Sequence, residues 1–100
     1  LGDSDEVVVQ VPVGADSEAD GRTLAELQLN IEPGFTVLAI RRGGGYRYRP
    51  GGRVRLLAGD EVIASGPDEG REFLTRRFGW VLVDPDGDGE MELEPVAPRG

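Results

Sequence analysis

"FTVLAIRRGGGYRYRP", residues 35–50, decides how this chain folds. Its first half is apolar and β-branched, three glycines follow, and "YRYR" then alternates strictly between aromatic and cationic side chains. Two strand-forming runs joined by glycines read as a β-hairpin. The stretch also poses a question of charge. The formal net charge is −8, yet Arg41, Arg42, Arg47 and Arg49 gather here, Arg53 and Arg55 follow, and no Asp or Glu lies between Phe35 and Gly59.

The number of glycines in the turn sets which side chains meet. With two in the turn, Ile40 and Arg42 share a face with Arg47 and Arg49, and Arg41 lies with Tyr46 and Tyr48. With all three in the loop the faces exchange, and Arg42 joins the tyrosines. Either register brings guanidinium groups against flat apolar surface. Arg pairs bidentately with phosphate, and guanidinium and tyrosine groups stack on purines, so the mixture suits a phosphorylated aromatic ligand. A structural alternative is that the arginines blunt an exposed strand edge and pair with carboxylates of helices or of a partner subunit.

Outward from the hairpin, "EVVVQVPV" (6–13) is a β-branched strand, and "TLAEL" (23–27) is a capping box that starts a short helix over about Leu24 to Leu29. Pro33 and Gly34 stop that helix. "RVRLL" and "DEVIASG" read as two further strands around an "AGD" turn. Pro67 in a first-turn position opens a last helix whose apolar stripe is Phe73, Leu74 and Phe78, with Arg76 and Arg77 at its end and Gly79 as its cap. The expected fold is α+β: a small, mostly antiparallel sheet with two helices packed on one face.

A chain of 100 residues with 38% hydrophobic content builds one modest core. No apolar run approaches the roughly 20 residues of a membrane helix, so direct membrane insertion is not expected. The sequence starts at Leu1 without Met and ends in "PVAPRG", which suggests a piece of a longer protein. All 11 cations are Arg, against 19 acids. That balance points to a salt-adapted, haloarchaeal cytoplasm, although a high-GC genome also favours Arg. The absence of Cys and His removes disulfides, thiolate and imidazole metal sites and histidine-based triads, so neither an enzyme nor a cofactor is expected. A nucleic-acid binder would also interleave Arg with Tyr, but the negative net charge argues against attraction to a polyanion.

The run "GRTLAELQL", then "GFTVLAIRRGG", then Pro50, then "LLAGDEVIASGP", resembles the TrkA-C (RCK-C) domain, the C-terminal ligand-binding domain of regulators of potassium conductance. The resemblance covers about Glu6 to Phe78, with the four blocks in the family's order. It implies a cytoplasmic regulatory domain that forms a homodimer and serves a potassium channel or transporter assembly. Some members bind cyclic di-AMP between the two copies, others have no known ligand. Carried over residue by residue, the resemblance makes Ile40 an apolar contact and Arg42 a phosphate contact. The wider set of ligand-binding candidates is Ile40, Arg41, Arg42, Tyr46, Arg47, Tyr48 and Pro50. "YRYR" and "GGRVR" depart from the family pattern, which puts the identity of any ligand in question.

Residues 79–100 lie outside the resemblance as an acidic tail. Asp84, Asp86, Asp88 and Gly89 imitate the start of an EF-hand loop, but its twelfth position is Pro95, so no metal site is expected. A hairpin of "WVLV" with "EMELE" is the simpler reading, with Met91 and Leu93 facing inward, Trp80 and Leu82 as anchors and a loose end from Pro95.

Overall fold

The computed structural model describes residues 5–96. In chain order it comprises β1 (Glu6–Pro12), α1 (Leu24–Leu27), β2 (Thr36–Arg42), β3 (Gly45–Tyr48), β4 (Glu61–Pro67), a 3₁₀ turn (Asp68–Gly70), α2 (Arg71–Arg77), β5 (Trp80–Val83) and β6 (Glu92–Pro95). Four strands form one antiparallel sheet in the order β1-β4-β2-β3, and β5 pairs with β6 in a second. This is the α+β arrangement that the sequence predicts, with the helices on one face.

The register explains the two faces. Val9, Val11, Ile40, Val62 and Ala64 point inward and meet Leu27, Leu29, Leu74 and Phe78 in one buried cluster. Burying each such side chain stabilises the fold by about 1.5–3 kcal/mol, upper figures because the unfolded chain is itself partly compact. On the opposite face the rows run Pro12–Glu61–Arg41–Tyr46 and Gln10–Ile63–Ala39–Tyr48. No helix covers that face: Val8 is 65% exposed and Tyr48 71%. A bulge between Val37 and Ala39 resets the alternation of β2, so that Val37 packs on the core and Ile40 enters it.

Several local expectations are corrected. α1 ends at Leu27, two residues early, because Gln28 adopts a left-handed conformation (φ 50°) and caps the helix. The capping box itself is present in both directions, Glu26 N to Thr23 Oγ1 at 3.1 Å and Thr23 N to Glu26 Oε1 at 2.8 Å. "RVRLL" is not a strand of the sheet. Its backbone bonds instead to residues 21–24, through Leu56 N to Arg22 O and Leu24 N to Val54 O, leaving one isolated bridge from Thr23 to Arg55. Pro67 closes β4, and a 3₁₀ turn separates it from α2. Phe73 is 47% exposed, because the buried side of α2 is carried by Leu74, Thr75 and Phe78 and Phe73 points about 100° or more away from each of them.

The tail pairs Trp80 with Pro95 and Leu82 with Leu93. Trp80 Nε1 donates to Pro12 O at 2.7 Å, which ties this hairpin to β1. Leu93 packs on the core, whereas Met91, just before β6, stays 40% exposed. The end expected to be loose lies, from residue 97, outside the described residues. Asp84 Oδ2 accepts from Gly89 N and Asp88 Oδ1 from Glu90 N, and among the described residues no group of acids is placed to hold a metal ion.

Candidate functional site

The β2–β3 hairpin turns on two residues, Gly43 and Gly44, since Arg42 pairs with Gly45, Arg41 with Tyr46, Ile40 with Arg47 and Ala39 with Tyr48. Gly43 has φ 59°, the left-handed conformation such a turn requires. This is the first of the two registers left open by the sequence. Ile40, Arg42 and Arg47 therefore share the inner face, and Arg41, Tyr46 and Tyr48 the outer one.

Every residue of β3 is exposed, so its inner face is not filled. A pocket of about 240 Å³ opens there, lined by Ile40, Arg42, Gly45, Tyr46, Arg47 and Val54. Ile40 supplies a buried apolar floor, only 2% exposed. Four of the seven candidate residues thus come together. Arg41 and Tyr48 do not, because odd and even positions of a strand face opposite ways, and Tyr46, though it belongs to the lining, has the parity of Tyr48, so its side chain lies with the outer face. Tyr48 instead stacks on Tyr46, ring centroids 5.8 Å apart and planes 14° from parallel. Pro50 also falls elsewhere. Arg49 takes a left-handed conformation (φ 48°), turns the chain out of β3, and brings Pro50 to a separate hollow beside Leu24, Phe35 and Gly52.

Half of the basic island is paired within its own chain. Arg41 Nη1 meets Glu61 Oε1 at 2.9 Å. Arg42 donates Nε to Asp60 Oδ1 at 2.9 Å and Nη2 to Asp60 Oδ2 at 2.7 Å, and Nη2 also reaches Arg55 O at 2.8 Å. Arg55 Nη1 donates to Gly21 O. Among the described residues Arg47, Arg49 and Arg53 form no salt bridge.

Asp60 is the residue that sequence reasoning missed. It is 3% exposed, and besides Arg42 it accepts from Leu57 N at 2.9 Å. The Arg42 hydrogen bonds hold its carboxyl below the usual range, against burial, which acts the other way, and with help from Leu57 N–H. The carboxylates serving Arg41 and Arg42 come from the start of β4, neither from a helix nor from a partner. No local signal marks it: "GDE" opens the strand, but only the antiparallel pairing of β4 with β2 places residues 60 and 61 beside the end of β2.

A second arginine ties the helices. Arg77, 16% exposed, grips Glu18 through Nη2 to Oε2 at 2.6 Å and Nε to Oε1 at 3.1 Å, and gives Nη1 to Leu27 O at 2.7 Å. Its hydrogen bond lowers the Glu18 pKa. This clamp is structural, since it joins α2 to the end of α1.

The TrkA-C domain model matches residues 8–79. An uncharacterized transporter, sll0640, of Synechocystis sp. (strain ATCC 27184 / PCC 6803 / Kazusa) is 38% identical over 69 residues, which are 69% of this chain and 11% of that protein. Among solved structures, the RCK_C domain dimer of S. agalactiae BusR in complex with c-di-AMP is 25% identical with a TM-score of 0.65, over 71% of this chain and 93% of that one. The RCK C domain of the potassium transport protein KtrA in complex with c-di-AMP has a TM-score of 0.64 at 22% identity, over 72% and 82% of the two chains, and shows likeness of fold.

Proposed function

Because the chain belongs to the TrkA-C domain family, we propose that it is a regulatory module of a potassium or other cation transport system, which dimerises and senses a small anionic ligand of the nucleotide class. The observation that carries this reading is the pocket at the end of the hairpin. Two apolar residues (Ile40 and Val54) and two arginines (Arg42 and Arg47) border about 240 Å³ of space. Apolar surface beside phosphate donors is what a nucleotide needs: burial for the base and charge-assisted hydrogen bonds for the phosphate. The uncovered sheet face, with Val8, Ile63 and Tyr48, is the surface a second copy would cover. The relatives supply the ligand to try first, since the BusR and KtrA domains were each solved with c-di-AMP. Within the described residues no helix is long and apolar enough to cross a membrane.

The test is a titration of the ¹⁵N-labelled domain with c-di-AMP, and with AMP as comparator, followed by amide and side-chain shifts. Saturable changes centred on Ile40, Arg42, Tyr46, Arg47 and Val54 are expected. Changes that never saturate, or that spread evenly over the surface, contradict the site. A second reading has its own observation: Arg41 and Arg42 are both paired with acids of the same chain. On that reading the domain is a dimerisation element whose arginines are structural, and the same titration leaves every signal in place.

A further inference from the structure

Two large apolar side chains that the fold leaves exposed meet in the helix layer. Ile31 is 70% exposed and Phe73 47%, and both border one hollow of about 330 Å³ together with Leu27, Glu18, Glu26 and Glu32. Ile31 stands in the turn after α1 and Phe73 on α2, whereas the hairpin pocket belongs to the sheet. The core uses neither side chain, since Leu27 and Leu29 on one side and Leu74 and Phe78 on the other already fill it.

The walls of the hollow are fixed from within. Arg77 Nη1 donates to Leu27 O at 2.7 Å and to Glu32 O at 3.4 Å, while Nε and Nη2 hold the Glu18 carboxylate. Ile31 N and Glu32 N both bond to Gln28 O, which sets the turn that carries Ile31. A partner entering this hollow therefore has little of the chain to order, which lowers the cost of binding.

Its charge is one-sided. Arg77 is spent on Glu18, which leaves Glu26 and Glu32 on the rim. Glu26 accepts from Thr23 N with one oxygen, and among the described residues the Glu32 carboxylate makes no salt bridge. An apolar hollow with an anionic rim complements an apolar side chain flanked by cations. We propose that this groove docks a basic amphipathic segment of a partner protein, with an apolar residue between Ile31 and Phe73 and Lys or Arg opposite Glu26 and Glu32. The same rim disfavours a phosphorylated ligand. A second copy of this chain fits less well: Arg47, Arg49 and Arg53, its arginines without a salt bridge near the hairpin, would have to reach the groove in a heterologous contact, which continues into open chains instead of closing a dimer. The proposal goes beyond the ligand and dimer readings and depends on neither.

The probe is a synthetic peptide of about 14 residues with Leu at helical spacing i, i+3, i+4 and i+7 and Lys elsewhere. Its comparators are a peptide of the same composition with Leu spread around the helix, and one with Glu in place of every Lys. Titrated into the ¹⁵N-labelled domain in about 0.15 M salt, the first should give saturable shifts centred on Leu27, Gln28, Ile31, Glu32 and Phe73, with residues 84–94 unmoved. The spread peptide should bind about tenfold more weakly, and the acidic one not at all. The Ile31→Ser, Phe73→Ser double variant, altered only at exposed positions, should lose about tenfold or more in affinity at unchanged Tm. The Glu26→Gln, Glu32→Gln variant, which keeps a capping-box residue at position 26, should lose about threefold or more. Equal binding of the two basic peptides, shifts centred on the acidic residues 84–94, a double variant that binds like the wild type, or no binding by the wild type would each overturn the proposal. If light scattering shows that Ile31→Ser, Phe73→Ser breaks up an assembly of the wild type, the groove is a contact between copies and the proposal falls. None of these outcomes bears on the c-di-AMP titration, so the ligand reading and the groove fail separately.

Discussion

Asp60 holds Arg42 from eighteen positions further along the chain, through two hydrogen bonds of 2.9 and 2.7 Å, while its own second oxygen caps Leu57 N at 2.9 Å. One nearly buried carboxylate thus joins the end of β2 to the turn before β4. Removing it leaves a guanidinium fork and an N–H without their acceptor. Arg42 remains half exposed and water recovers part of the loss. Asp60→Ala should therefore destabilise the domain by about 2 kcal/mol, roughly 10 °C in Tm for a domain of this size. A scan that shows no loss would mean that the clasp contributes nothing.

The same pair dictates an acid limb. The folded-state pKa of Asp60 lies below that of an unfolded Asp, about 3.9, so its stabilising contribution is complete above that value and is lost as pH falls through the lowered folded value. Glu18, lowered by its hydrogen bond to Arg77, behaves in the same way. Stability followed by urea unfolding from pH 6 down to about pH 2 should drop in this window. Asp60→Asn should show a shallower drop from a lower plateau. An equal slope in variant and wild type would remove Asp60 from the account.

Gly66 on β4 lies under the ring of Phe35, where a Cβ would stand 2.6 to 2.8 Å from three ring carbons. Phe35 is 1% exposed and has no room to retreat. Gly66→Ala should cost about 1–3 kcal/mol by overpacking. Measured stability equal to wild type would show that the β4 to Phe35 packing is looser than described.

The uncovered sheet face should be the dimer contact. Val8 and Tyr48 are exposed there, so an added charge at either position spares the core. Light scattering should give a dimer for the wild type and a monomer for the Val8→Glu, Tyr48→Glu double variant, with unchanged far-ultraviolet circular dichroism. A monomeric wild type at high concentration, in low and in molar salt, would remove the basis for this interface.

What could be read from the sequence follows a physical division. Local chemistry was legible: the Thr23 to Glu26 capping box depends on four consecutive residues, and Gly43 with Gly44 can serve only as a turn. Composition gave the strands, because "EVVVQVPV" and "DEVIASG" are rich in β-branched residues, but Val8 and Ile63 interrupt the polar alternation, so the covered face was not marked by pattern alone. Long-range pairing was not legible. Arg42 and Asp60 meet only once β2 lies beside β4, and "RVRLL" has strand-like composition but spends its hydrogen bonds on residues 21–24. The turn register likewise had two solutions of equal local quality, and cross-strand packing of Ile40 in the core selects one.

Calorimetric titration of the domain with c-di-AMP tests the central claim most directly. A dimer that senses a nucleotide at the hairpin pocket should give saturable heat, with a stoichiometry of one dinucleotide per two chains or one per chain, and the affinity should fall about tenfold or more in the Arg42→Ala, Arg47→Ala double variant measured well below its Tm, as loss of charge-assisted hydrogen bonds requires. The absence of saturable heat with c-di-AMP and with mononucleotides, or equal affinity in the wild type and the double variant, would contradict it.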